Sequence, residues 1–223
     1  MLKKIYNWFY TLTSPVEDRG EYASGYFQNK IRKEALALCK GRQGKILEIG
    51  CGSGLFSIRL ARQNSDSEVF SIDNEQEKLN YVENRARQKG ISNLRLSLQD
   101  ATSLSFENGY FDAVVCINFL LMMDSIETVK RVLSQMERVC RKQGRIIFEF
   151  RSCLNPFFVA KYRLAKFYDA TIKDNPLKYY HPKQIDSVMK SLNLKAARKT
   201  YVGAFIFKRF APIIIIEAEK NDQ

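Results

Sequence analysis

The stretch that most constrains this chain is Ile46-Leu47-Glu48-Ile49-Gly50-Cys51-Gly52-Ser53-Gly54-Leu55-Phe56-Ser57. A short apolar run, three alternating glycines and a helix-like pattern predict a buried strand, a tight turn and a helix N-terminus. Without Cβ atoms, Gly50, Gly52 and Gly54 let the backbone bend sharply and let a ligand lie against the main chain. The first N–H groups of the following helix then point at that ligand. Glu48, on the strand just before the turn, offers a carboxylate to a cationic or hydrogen-donating group. Spacing narrows the choice of ligand. A P-loop needs Lys and then Ser or Thr after its last glycine, and Leu55 and Phe56 stand there instead. A dinucleotide fingerprint needs Gly-x-Gly-x-x-Gly/Ala. Counted from Gly50, its last position is Leu55.

Downstream, apolar runs alternate with helical patterns, the signature of an α/β sheet with crossover helices. Phe56, Ile58, Leu60 and Ala61 belong to the first such helix. Glu68 to Asp73 reads as a second strand ending in a carboxylate. Asp73 lies 19 residues after Gly54, where an acidic side chain can accept both hydroxyls of an adenosine ribose. It could also cap the helix that starts near Glu75, a task Asn74 could share. Asn93 to Leu98 is a third strand, Phe111 to Cys116 a fourth and Arg145 to Phe150 a fifth. Ile126 to Arg141 is a helix between the last two, and Lys142-Gln143-Gly144 reads as a turn.

The pattern Glu48-x-Gly50-x-Gly52-x-Gly54, then Asp73, Gln99-Asp100-Ala101 and Phe111-Asp112-Ala113-Val114, resembles class I S-adenosylmethionine-dependent methyltransferases. The resemblance is firm over residues 44–150 and looser beyond. It implies an α/β, doubly wound, Rossmann-like sheet of seven strands, mostly parallel with one antiparallel strand near the C-terminus. Leu194 to Phe207 and Ala211 to Glu219 are expected to supply the closing pair. It also implies S-adenosyl-L-methionine as cofactor, held by Glu48, Gly50, Cys51, Gly52, Gly54, Asp73, Asn74, Asp100, Ala101 and Asn118. Asp100 would accept from the exocyclic amine of adenine. Many relatives carry a histidine after the fourth strand, where this chain has Asn118 to Met123 bordering the methyl group. The sole histidine, His181, is the candidate general base; its neighbour Pro182 gives it an alternative place at the opening of a helix.

Two flanks depart from the pattern. Residues 1–43 are expected to form N-terminal helices that cap or lid the methyltransferase domain of residues 44–223. Leu2, Ile5, Phe9 and Leu12 recur at helical spacing beside Trp8. Core packing, a lid and an interfacial membrane anchor all fit that face. A second helix runs to about Cys39, with Ile31, Ala35 and Leu38 on one face. Residues 151–180 are expected to form a helical insertion on the substrate side, mixing aromatics with Lys and Arg. Stacking on bases with neutralised phosphates, a lid over the acceptor pocket and a helical cap with its own aromatic core all fit that composition. The net charge of +12 resides in the flanks: +5 over residues 1–45, −1 over 46–150 and +8 over 151–223. An anionic acceptor or surface would complement it, and so would plain solvation.

The five cysteines are scattered, with no C-x-x-C pair, so neither a disulfide framework nor a metal site is indicated and a reducing, cytoplasmic setting is the simpler one. No apolar run approaches the ~20 residues of a membrane span. The expected activity is methyl transfer to a small-molecule or lipid-like acceptor, with peripheral membrane contact open. Nucleic acid is the second choice of partner, because Asn118 lacks the Asn-Pro-Pro-Tyr sequence of amino-methylating nucleic-acid enzymes. A non-catalytic cofactor-binding scaffold is the third.

Overall fold

The computed structural model describes residues 25–165, 177–203 and 207–221. Its strands are β1 (Gly44–Ile49), β2 (Ser67–Asp73), β3 (Leu94–Leu98), β4 (Phe111–Cys116), β5 (Cys140–Arg151), β6 (Leu194–Val202) and β7 (Ile213–Lys220). Its helices are α1 (Tyr26–Cys39), α2 (Leu55–Gln63), α3 (Gln76–Gln88), α4 (Ile126–Val139), α5 (Pro156–Ala165) and α6 (Pro182–Ser191). The strands form one sheet in the order β3-β2-β1-β4-β5-β7-β6. Pairing is parallel from β3 across to β5. β7 runs antiparallel to both β5 and β6. The expected mostly parallel sheet with one antiparallel strand near the C-terminus is therefore the observed one.

Alternation along the strands builds a core on each face, as a period of two demands. Leu47, Ile49, Val114, Cys116, Ile146 and Phe148 point to one side and meet α4 and α6. Ile46, Ala113, Val115, Ile147 and Ile215 point to the other and meet α1 and α2. In α4, Val129, Val132, Leu133 and Met136 make the i, i+3, i+4, i+7 stripe that a helix needs to lie on a sheet. Ser125 caps it, its side chain accepting from the Thr128 N–H at 3.2 Å. In α1, Ile31, Ala35 and Cys39 are fully buried, whereas Leu38 sits on the shoulder. The part of the N-terminal flank that is described is thus a layer of the core.

Two boundaries differ from the sequence expectation. β5 begins at Cys140, so Lys142-Gln143-Gly144 lies within a strand. The register shifts between Phe111 and Ala113, and this irregularity absorbs the extra residues. Gly144 permits it: a Cβ there would meet Cys140 Sγ at 2.5 Å and the Asp112 carbonyl at 2.9 Å. β6 stops at Val202, before Gly203 with its φ of 78°, and Lys208–Phe210 is a short 3-10 turn. The amphipathic pattern of residues 2–12 and the middle of the 151–180 insertion lie outside the described residues.

Candidate active site

The strand order reverses between β1 and β4, and open α/β sheets bind ligands in the crevice outside the carboxyl ends at such a switch point. A cavity of about 820 Å³ occupies that place. The turn after β1 gives it Gly50, Cys51, Gly52 and Ser53; the end of β2 gives Asp73 and Asn74. The turn after β3 supplies Asp100 and Ala101, and the turn after β4 supplies Asn118, Phe119, Met122 and Met123. Glu48 forms part of the floor. Of the residues singled out for the cofactor, Gly54 alone stands off the wall.

Two glycines show why the loop has this sequence. Gly50 has a φ of 79°, and a Cβ on it would collide with the Phe119 ring. Gly52 has a φ of 52°, and a Cβ on it would project into open space. The first glycine therefore admits the β4 turn, while the second leaves bare backbone toward the cavity. The Gly50 and Cys51 N–H groups both donate to the Ile72 carbonyl at 2.9 Å, which ties the loop to β2. Burial, then the Glu48 and Asp73 carboxylates, push the Cys51 thiol far above the usual range, which disfavours the thiolate a nucleophile needs.

Asp73 fastens the loop from the other side. Its Oδ2 accepts from the Gly52 N–H at 2.9 Å, and its Oδ1 from the Glu75 N–H at 3.2 Å. It therefore joins the glycine turn to the start of α3, whose N-cap position is Glu75 with no side-chain cap bond. Asn74 lines the cavity and is not the cap. A carboxylate has about four acceptor sites, so these two bonds leave capacity for a ligand hydroxyl. Asp100 is open to solvent; its Oδ1 accepts from Thr102 N and Oγ1 at 2.7 and 2.8 Å, which holds its carboxyl below the usual value.

Glu48 is buried, with Oε2 receiving Ser57 Oγ at 2.5 Å and Ser71 Oγ at 2.7 Å. Burial raises its carboxyl to about 7 against the pull of both hydroxyls, with Asp73 adding to the rise and Arg32 opposing it. Arg32 is a cavity residue that sequence reasoning missed. It lies on α1, buried, beside Ile31.

A second missed group supports the β4 turn. Glu149 Oε1 accepts from the Asn118 N–H at 2.8 Å, Arg151 Nη1 reaches Glu149 Oε2 at 3.3 Å, and Arg151 Nη2 donates to Asn118 Oδ1 at 3.1 Å. Both charged side chains are almost wholly buried. Burial raises the Glu149 carboxyl, while Arg151 and the Asn118 N–H pull it back. The closed ring holds Asn118 at a φ of 54°, a left-handed conformation that asparagine tolerates better than most residues. Tyr180 adds a pin, its hydroxyl donating to the Met123 and Leu120 carbonyls at 3.1 and 3.3 Å.

His181 is not brought to the cavity. It is the N-cap of α6: Nδ1 accepts from the Lys183 N–H at 3.2 Å, and Gln184 returns a bond to the His181 N–H at 2.9 Å. This reciprocal capping box engages one ring nitrogen and fixes the residue at the helix start. The place the structure gives His181 is the structural alternative, at the opening of a helix.

The donor set suits a ligand with a cationic end and a sugar: carboxylates at Glu48, Asp73 and Asp100, one buried guanidinium, and bare backbone at Gly52. A family model described as a methyltransferase domain matches residues 40–201. A phosphatidylethanolamine N-methyltransferase of Cereibacter sphaeroides is 28% identical over 200 residues, covering 85% of this chain and 91% of that protein. A ribosomal protein L11 methyltransferase of Prochlorococcus marinus is 36% identical over 110 residues, and there the chain spans only 34% of the relative. Among solved structures, magnesium protoporphyrin IX methyltransferase of Synechocystis, with bound SAH, has a TM-score of 0.68 at 18% identity. That likeness covers 98% of this chain and 100% of the other and concerns the fold. With nearly three-quarters of its length inside the family model and the sheet order in place, the chain belongs to the methyltransferase-domain family, as a class I S-adenosylmethionine-dependent methyltransferase.

Proposed function

We propose that this chain methylates the amine of a lipid-like acceptor, an ethanolamine phospholipid. The observation that carries the reading is the two-sided wall of the cavity. Carboxylates and glycine backbone line it under β1–β3, while Phe119, Met122 and Met123 face it from the β4 turn. A flexible, polarisable apolar wall suits an acceptor with a hydrocarbon portion. The Cereibacter relative, matched along nearly its whole length, supports an amine headgroup.

Within that reading, Asp73 takes the ribose hydroxyls, Asp100 and Ala101 the adenine, and the Gly52 backbone the body of the cofactor. Glu48 faces the methionine ammonium, and Arg32 takes the carboxylate. When bound, S-adenosylmethionine supplies a methyl carbon on a positively charged sulfur. The ammonium of the acceptor must first lose a proton, to solvent. The residues of the chain then align its neutral nitrogen with that carbon and keep water out, so that the N–C bond forms as the C–S bond breaks. Glu149 and Arg151 act one step back, by fixing the turn that carries Phe119 and Met123.

The test is transfer from methyl-labelled S-adenosylmethionine to phosphatidylethanolamine in detergent micelles, with free ethanolamine and RNA alongside. Label in the organic phase as N-methylated phospholipid is expected. Label confined to RNA or to polar amines would overturn the acceptor assignment.

A further inference from the structure

Beyond the cavity, the carboxyl edge carries a second feature. Arg151 at the end of β5 and Val202 at the end of β6 both pair with Ile213 at the start of β7. The chain after β5 and the β6–β7 connection therefore leave the sheet side by side, on the cavity's edge. The Asn155 side chain joins them, Nδ2 donating to the Phe210 carbonyl at 2.7 Å.

Both segments show large apolar side chains to solvent. Phe157 is 84% exposed and Leu164, seven residues on along the same face of α5, is 54% exposed. Phe207 and Phe210 are 65% and 47% exposed, their rings 6.5 Å apart. Exposed Lys208 and Arg209 lie between them, and exposed Arg163 belongs to α5. Residues 152–165 and 207–212 include four Lys or Arg and no Asp or Glu. Isolated apolar side chains on a surface mean little, but aromatics grouped with unopposed cations mark an interaction site.

We propose that this surface docks the enzyme on an anionic lipid bilayer. Phe157, Leu164, Phe207 and Phe210 enter the boundary between headgroups and acyl chains, and Lys208, Arg209 and Arg163 meet lipid phosphates. Rings flanked by cations are the composition that settles at that depth. Attraction to an anionic leaflet supplies the rest of the affinity. The proposal rests on the lipid-acceptor reading, since docking on this edge presents the cavity to headgroups in the membrane plane.

The experiment is flotation of the full chain with phosphatidylcholine vesicles, with and without phosphatidylglycerol, for wild type, K208E/R209E and F157S/F207S. Wild type should bind the phosphatidylglycerol vesicles and release as salt rises. The charge reversal should weaken binding by at least about thirtyfold, and the serine pair should weaken it at every salt concentration. All four positions are exposed, so melting temperatures should stay within about 2 °C of wild type and methylation of micellar phosphatidylethanolamine within about twofold. Full vesicle binding by either variant would overturn the docking surface. So would a wild type that methylates micellar lipid without floating, and the acceptor reading would survive that result. Flotation lost in both variants while micellar lipid is never methylated would uphold the surface and defeat the acceptor reading. RNA binding abolished by K208E/R209E, with no vesicle binding in wild type, would give the patch to nucleic acid.

Discussion

The two ends of the carboxyl edge use their polar groups in opposite ways. Under β1–β4, side chains are tied down before any ligand arrives: Asp73 to Gly52 and Glu75, Glu48 to two serines, Asn118 to Glu149 and Arg151. Under β5–β7, aromatics and cations stand in solvent. The charge divides in the same way, −1 over residues 46–150 and +8 over 151–223. A site that must fix a small molecule to within a fraction of an ångström needs preorganised groups. A surface that meets a fluid partner needs area and charge but no fixed partners. The proposed reading gives one sheet edge two jobs.

The largest effect should come where the two regions meet. Arg151→Ala leaves Glu149 buried without its cation and should cost about 3–5 kcal/mol in chemical denaturation. Adding Glu149→Gln should recover part of it. A loss within experimental error of zero would mean that the ring does not fasten the β4 turn to β5.

Next is Glu48. The unfolded chain ionises it near 4.5 and the folded chain near 7. Between those values the folded state holds the extra proton, so stability falls as pH rises through that window, by up to about 3 kcal/mol. Glu48→Gln should flatten this part of the pH–stability curve. Because the ionised form attracts a cationic ligand, S-adenosylmethionine should bind more tightly as pH rises through the same window. Titration calorimetry at pH 5 and pH 8 that gives equal affinities would remove Glu48 from the ammonium.

Asp73→Ala should weaken cofactor binding by about 1.5–3 kcal/mol, the scale of bonds to a charged acceptor. The smallest effect belongs to His181→Ala, about 1 kcal/mol of stability through the lost cap, with turnover unchanged. A collapse of turnover in a folded His181→Ala protein would restore His181 as a base and blur the division between the regions.

The fold was legible because its signals are local. The glycine turn, strands ending in carboxylates and helical stripes each announce themselves within a dozen residues. Asp73 was legible through its distance from Gly54. Arg32 was not, because a cation next to Ile31 on an amphipathic helix reads as solvent-facing, and only the packing of α1 against the sheet buries it. Glu149 and Arg151 carried a signal that went unused: opposite charges at i and i+2 of an apolar strand share a face, where they can pair. The start of β5 was missed because Gln143-Gly144 has the composition of a turn, while the pairing of Cys140 with Phe111 is a long-range fact. The exposure of Phe157 and Phe207 is likewise set by what neighbouring elements leave uncovered.

The division of labour is tested most directly by measuring S-adenosylhomocysteine affinity by calorimetry for wild type, Asp73→Ala and K208E/R209E, with vesicle flotation on the same preparations. The account predicts that Asp73→Ala loses about tenfold or more in nucleoside affinity and floats like wild type. It predicts that K208E/R209E keeps its nucleoside affinity and stops floating. Loss of both properties in either variant would contradict it.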